Sequence, residues 1–483
     1  MNQADKNHII DPHSSFGAAQ LNTTVVLNKN DGTLRELRMN NTNNRLALRV
    51  RTLIDGTGRG PLHNATVLVQ RGRIVAVGPQ IFVPDEYDVI DLPDSTIIPG
   101  LIDGHTHTEV ILSGKEFGND GASEKIWQWH VDEFLTHGVT AVRDTGGTGI
   151  GESYQLLTAE NNPSWPRFVG SGPNLDGPPG APYPGLRVVR GPKDAAQNAA
   201  ELIAAGVPFL KTYVWLPFVD LQAVVDEAHS HGISVATHVG TTLTVEQAVS
   251  LGVDALEHIC SGHELLDDAS RELEAALPAR PHDWCLSLRP WRFINLASDR
   301  VRRHIDLLAE SAVTITPTLA ILNVISRSQE ASQNLRSRSN IPESLITSWQ
   351  NTWPAESYSD DDLAGGNKEW ETLLEFVSML HAADIPIVAG TDIPNPATLP
   401  GSSLHQEIQL LSNCGLGIVG AIHSATGQAA KLMGRNDIGT VRSGKKADLL
   451  VVSGDLTTSL KPLSNIQAVL RDGKVVKGKL PAR

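Results

Sequence analysis

The middle of this 483-residue chain alternates between short apolar runs and stretches of helical period, and no other feature limits the fold as strongly. Ala195 to Ala205, Leu221 to His229 and Val245 to Leu251 have helical period, and Gly206, Gly232 and Gly252 stand just past them. Glycine readily takes the left-handed conformation that closes a helix. Between and around such stretches lie eight apolar runs that read as strands: Ile97 to Ile102, Val139 to Arg143, Phe168 to Ser171, Phe209 to Tyr213, Ser234 to His238, Ala255 to His258, Val313 to Thr316 and Ile385 to Thr391. Strands joined through helices form parallel sheets. Eight of them predict an α/β fold, a (β/α)8 TIM barrel over residues 99–435, with its functional residues at the carboxyl ends of the strands.

The two ends of the chain read differently. Leu46 to Val50, Ala65 to Gln70, Arg73 to Val77 and Val89 to Leu92 are short β-rich runs, and the pattern returns at Ala447 to Val452, Ile466 to Arg471 and Lys474 to Val476. Asp472-Gly473 between the last two is a hairpin signal. A small β-sandwich domain built from both termini is expected, with parts at 45–98 and 436–483. Residues 1–44 are polar and asparagine-rich and read as a flexible arm or an oligomer contact. Residues 319–370 exceed an ordinary βα loop and carry Trp349, Trp353, Tyr358 and the run Asp360-Asp361-Asp362. They are expected to form a lid over an apolar or aromatic substrate, an extra helical subdomain or a subunit contact.

Charge and composition narrow the partners. A formal charge of -14 argues against nucleic acid or an anionic membrane, both of which attract positive surfaces. No apolar run approaches the roughly 18 residues of a membrane span, and no signal-peptide core follows the first charges, so a cytoplasmic protein acting on a small molecule is expected. Cys260, Cys285 and Cys414 are far apart and lack CxxC spacing, which argues against a disulfide framework or a thiolate zinc site.

The first apolar run of the barrel leads into Asp103-Gly104-His105-Thr106-His107. In an extended chain residues two apart face the same way, so His105 and His107 can reach one metal ion with neutral imidazole nitrogens. Four further candidates end later strands: Lys211, His238, His258 and Asp392. Each has an ordinary structural alternative: a snorkelling lysine, a hydrogen-bonded core histidine, a helix cap. Together they converge on one face of one barrel.

The set Pro99-Gly100-Leu101-Ile102-Asp103-Gly104-His105-Thr106-His107, Lys211, His238, His258 and Asp392 resembles the metal-dependent amidohydrolase superfamily. So does the later stretch Gly439-Thr440-Val441 through Gly444-Lys445 to Ala447-Asp448-Leu449. The resemblance runs from about residue 46. It implies two divalent ions, zinc foremost, with manganese, cobalt or iron as alternatives. His105, His107 and Asp392 would hold one ion, His238 and His258 the other, and Lys211 would bridge them after carboxylation. An ammonium beside two dications is repelled, whereas a carbamate is an anion with two oxygens. The resemblance also implies a homo-oligomer.

The implied chemistry is hydrolysis of a C–N bond in an amide, carbamate, urea, N-acyl amino acid or dipeptide by a metal-bridging hydroxide, with Asp392 shuttling the proton. A mononuclear cyclic-amidine hydrolase or deaminase is the alternative enzyme, and a non-catalytic amidohydrolase-like scaffold is the alternative of another class. The chain has no GxSxG elbow, and Gly146-Gly147-Thr148-Gly149 lacks the P-loop lysine and reads as a flexible turn. Tyr213, two residues past Lys211, is expected on the inward face as a donor to the substrate. Asn174, in the turn-rich Gly172 to Gly180 segment, and His263 and His405, close behind strand ends, complete the substrate-binding candidates. Two departures from related dipeptidases stand out: no histidine-bearing glycine stretch follows strand three, and Thr212-Tyr213-Val214-Trp215-Leu216-Pro217 replaces their serine- and glycine-rich run.

Overall fold

The computed structural model describes residues 45–113, 122–159, 162–182, 185–240, 242–259, 262–277, 287–326, 340–352 and 360–481. The expected arm at 1–44, Cys260, Cys285, Trp353 and Tyr358 lie outside these residues, and the side chains of Asp360, Asp361 and Asp362 lie outside the description.

The chain opens with β1 (Arg45–Leu53), β2 (Leu62–Gln70), β3 (Arg73–Pro79) and β4 (Asp88–Pro99). The middle contributes β5 (Leu101–Thr106), β6 (Val139–Asp144), β7 (Arg167–Gly170), β8 (Leu175–Asp176), β9 (Arg187–Val188), β10 (Phe209–Thr212), β11 (Ser234–Thr237), β12 (Ala255–Glu257) and β13 (Thr314–Thr316). The end adds β14 (Leu449–Ser453), β15 (Ile466–Arg471) and β16 (Lys474–Gly478). Strands from both ends make one seven-stranded sheet in the order β16-β15-β14-β4-β1-β2-β3. It is a single sheet rolled over its own core, which includes Leu48, Val67, Ile97, Leu449 and Val451, rather than two separate packed sheets. The β2–β3 hairpin meets the segment leading into β14, where Ile74 N donates to Lys445 O and Ala447 N donates to Gly72 O.

The run expected as the first barrel strand is divided between two sheets. Ile97 to Pro99 pair with β1 and β14, while Leu101 and Ile102 pair with β6. Apolar patterning cannot reveal the break because both halves are fully buried. Gly100 sits at the junction, where a Cβ would lie 2.1 Å from the Thr140 hydroxyl.

The parallel strands form two arcs, β5-β6-β7 and β13-β12-β11-β10-β8-β9. The eighth expected strand joins their ends through single bridges, Ile315 with Ile387 and Thr106 with Ile393, and through Gly104 N donating to Ala389 O. Among the described residues the hydrogen-bonded ladder does not close into one continuous sheet. The arcs enclose an apolar layer containing Ile102, Ala141, Val169, Phe209, Ala236 and Val388. The rolled sheet and the parallel strands belong to one compact unit. Buried Arg167 at the start of β7 links them, with Nε 2.7 Å from Asp448 and Nη2 2.8 Å from Asp472. Trp349, on the helix Glu343–Thr352, packs in a cluster with Ile341, Leu345 and Leu399. No helix among the described residues is long and apolar enough to cross a membrane.

Candidate metal centre

Strand period places most of this site. Phe209, Ala236 and Ala255 lie in the interior layer, and two residues further along their strands come Lys211, His238 and Glu257, all buried. His258 follows the end of β12 and has φ +65, and Asp392 has φ +59. Such left-handed backbone is uncommon outside glycine and tends to occur where side chains are re-aimed for function.

The buried ligand atoms of His105, His258 and Asp392 all lie within 4.8 Å of one another. Asp392 Oδ1 is 3.3 Å from His105 Nε2 and 3.1 Å from His107 Nε2, and its Oδ2 is 3.9 Å from His258 Nε2. The His238 and His258 rings are 4.5 Å apart, and Tyr213 meets His238 edge-on at 5.1 Å. Lys211 Nζ stands 5.2 Å from the centre of the Tyr213 ring. Burial lowers the Lys211 ammonium to about 8, against the pull of Glu257 and Asp392. Burial raises the Asp392 carboxyl, but His258, His105 and His107 outweigh it and hold Asp392 well below the usual carboxylate range.

The Nδ1 nitrogens of His105, His107 and His258 are engaged, which leaves their Nε2 atoms available. His105 Nδ1 is 2.6 Å from Glu257 Oε2, His107 Nδ1 donates to Gly146 O at 3.0 Å, and His258 Nδ1 is 2.7 Å from Thr318 Oγ1. His105 Nε2 is buried and has no well-formed hydrogen bond among the described residues. Ligating histidines are typically held this way through the nitrogen that does not face the metal. Imidazole nitrogens with a carboxylate suit a borderline divalent cation, so this donor set fits such an ion.

A second layer fixes the first. Arg143 Nη1 donates to Glu257 Oε1 at 2.7 Å, and its guanidinium lies 4.2 Å from the centre of the Phe209 ring. Asp103 accepts from the Thr391 hydroxyl at 2.6 Å and from Thr391 N at 3.1 Å, just before Asp392. Thr148 donates its amide and hydroxyl to Glu109, and Gly147 N donates to Gly172 O. The turn at Gly146 to Gly149, expected to be flexible, is therefore pinned beside His107.

The family model described as the amidohydrolase family matches residues 96–479. The chain belongs to the amidohydrolase family. An imidazolonepropionase from Geobacillus kaustophilus is 26% identical over 137 residues, covering 21% of this chain and 32% of that protein. The chain thus matches only about a third of the length of that curated relative. Two solved structures share the fold: a Xaa-Pro dipeptidase with bound methionine in its active site, and the A. niger ochratoxinase. The dipeptidase is 20% identical with TM-score 0.65, covering 90% of this chain and all of that one. The ochratoxinase is 18% identical with TM-score 0.64, covering 91% and 96%. These amidohydrolase neighbours imply a TIM-barrel fold with a β-rich domain.

The remaining expected residues of this amidohydrolase lie apart from the buried cluster or beside it. Asn174 is fully buried against Gly146, and neither amide atom has a hydrogen-bond partner among the described residues. His263 is exposed, 3.5 Å from Glu274. His405 donates through Nε2 to His137 O at 2.8 Å on the helix Ser402–Leu411. Glu257 and Arg143 carry no motif of their own. Strand parity from Ala255 could have found Glu257, because the position next to a histidine is the one that faces inward.

Proposed function

We propose that this amidohydrolase cleaves the C–N bond of a small amide, carbamate, urea, N-acyl amino acid or dipeptide at a binuclear metal centre, within a (β/α)8 barrel. His105, His107 and Asp392 would hold one ion, His238 and His258 the other, and a carboxylated Lys211 would bridge them. The observation that carries this reading is the burial of Lys211 at the end of β10 together with the close grouping of His105, His258 and Asp392. Zinc is the foremost ion for these donors. Two divalent ions, when bound, acidify water and polarise a carbonyl.

The chain's own groups divide the remaining work. Asp392 can ligate through one oxygen and use the other to take a proton from the attacking water and deliver it to the leaving nitrogen. Tyr213, half-buried beside His238, can donate a hydrogen bond to the substrate carbonyl oxygen as charge develops there.

A second reading has its own support: the three-residue group His105, His258 and Asp392 could hold a single ion, and the curated relative above is an imidazolonepropionase. The test is metal content per chain by elemental analysis on protein grown with zinc, with electron density examined at Lys211. About two ions and a carbamate support the binuclear hydrolase. One ion and a free lysine overturn it in favour of a mononuclear enzyme acting on cyclic amidines or by deamination.

A further inference from the structure

Glu407 lies on the helix Ser402–Leu411, outside every element that carries a proposed metal ligand, and is fully buried. Its Oε2 accepts a hydrogen bond from Ala320 N at 2.6 Å, and the Leu319 amide also donates to this carboxyl. These two amides open the helix Leu319–Ser326, where the first-turn donors have no partner within the helix. The residue just before them is Thr318, buried and held at φ +52, a conformation that costs a β-branched residue energy. Its carbonyl accepts from Leu322 N at 3.3 Å, and its hydroxyl is the partner of His258 Nδ1 at 2.7 Å. The chain of contacts from Glu407 to His258 is thus continuous: carboxyl, first helical turn, strained threonine, imidazole.

We propose that Glu407 is a positioning residue for His258, acting through the first turn of the helix Leu319–Ser326 and through Thr318. Without its carboxyl, two buried amides lose their acceptor, and the first helical turn that follows Thr318 loses its tie to the helix Ser402–Leu411. The Thr318 hydroxyl then no longer fixes the ring that presents Nε2 to the cluster. Burial pushes the Glu407 carboxyl up to about 8, so at neutral pH it is mostly protonated, and glutamine reproduces its shape and its acceptor.

This inference rests on the metal-site reading above, and the experiment separates the two. Metal-free protein is titrated with zinc against a competing chelator, and the cobalt(II) absorption spectrum is recorded for wild type, E407Q, E407A, E407L and T318A. E407L keeps the volume of the side chain, so a failure of E407A to fold leaves the test intact. E407A or E407L is expected to weaken zinc binding at least tenfold and to change the cobalt spectrum, within the ~10–100-fold range of partners that orient ligands. E407Q should stay within about threefold of wild type. T318A should weaken binding as well, and E407L/T318A should be no weaker than the worse single variant, because both act on one path. Zinc affinity and cobalt spectrum unchanged in E407L, or fully additive losses in the double variant, overturn the proposal even if E407L is less stable. A wild-type protein that binds no zinc overturns the metal-site reading instead.

Discussion

Glu257 Oε2 and His105 Nδ1 stand 2.6 Å apart with both side chains wholly buried, and the other Glu257 oxygen takes Arg143 Nη1 at 2.7 Å. The contact fixes which face of the imidazole points inward and couples a candidate ligand to the buried Glu257–Arg143 ion pair. Burial alone would raise the Glu257 carboxyl, but Arg143 and His105 outweigh it and hold Glu257 well below its usual range.

Removing that carboxylate should damage both binding and stability. E257A leaves Arg143 buried with its charge unpaired, a change that costs on the order of 3–5 kcal/mol. Zinc affinity should fall roughly 10–100-fold. The pH dependence has a definite sign. A depressed carboxyl contributes stability above its unfolded pKa, near 4.5, and that stability is lost as pH falls below it. Urea unfolding of the metal-free protein between pH 6 and 3 should therefore show wild type losing more stability than E257Q. Parallel curves would show that folding does not lower the Glu257 carboxyl.

Lys211 should make metal uptake depend on carbon dioxide. Only the neutral amine reacts, and with the ammonium lowered to about 8 its neutral fraction falls about tenfold per pH unit below that value. Metal-free protein given zinc in degassed buffer should recover activity slowly. Bicarbonate should accelerate recovery, and the rate should drop steeply from pH 8 to pH 6. K211M should gain nothing from bicarbonate. Recovery indifferent to bicarbonate at pH 7 would remove the case for a carbamate bridge.

The strands that carry Lys211 and His238 were legible because inward positions recur every second residue from Phe209 and Ala236. The same rule applied to Ala255 leads to Glu257, although its neighbour His258 is the more conspicuous residue in the sequence. His258 and Asp392 reach the cluster only through positive φ angles, and backbone conformation of that kind leaves no mark on apolar periodicity. The break at Gly100 was hidden for a similar reason, since a residue that separates two buried strands lies inside one unbroken apolar run. Thr318, Arg143 and Glu407 were out of reach because each acts through a partner distant in sequence.

Asp392 should separate an enzyme from a scaffold. D392N keeps the shape of the side chain but gives up a charge and the proton-accepting oxygen. Turnover should fall about 10²–10⁴-fold, the range of a general acid–base group, while the fold remains. Activity against a panel of anilides, aryl carbamates and N-acyl amino acids, read beside circular dichroism, checks this. Equal turnover in D392N and wild type would remove Asp392 from the chemistry.

Two glycine substitutions should divide site geometry from stability. A Cβ at Gly390 would lie 2.7 Å from His105 Cβ, 2.7 Å from Thr316 Cγ2 and 2.9 Å from His105 N. The first and last of these atoms cannot swing away, so the backbone carrying His105 must shift. Overpacking of that kind costs about 1–3 kcal/mol, and here the displaced residue is a candidate ligand. At Gly232 nothing lies within 4 Å of a Cβ, but φ is +69. G232A should therefore lower stability by about 1 kcal/mol through backbone strain alone, leaving zinc affinity as it was. G390A should lose zinc affinity by more than its loss of stability accounts for, as read by chelator competition beside urea unfolding. Zinc binding by G390A equal to that of G232A would mean that the close approach of residue 390 does not set the position of His105.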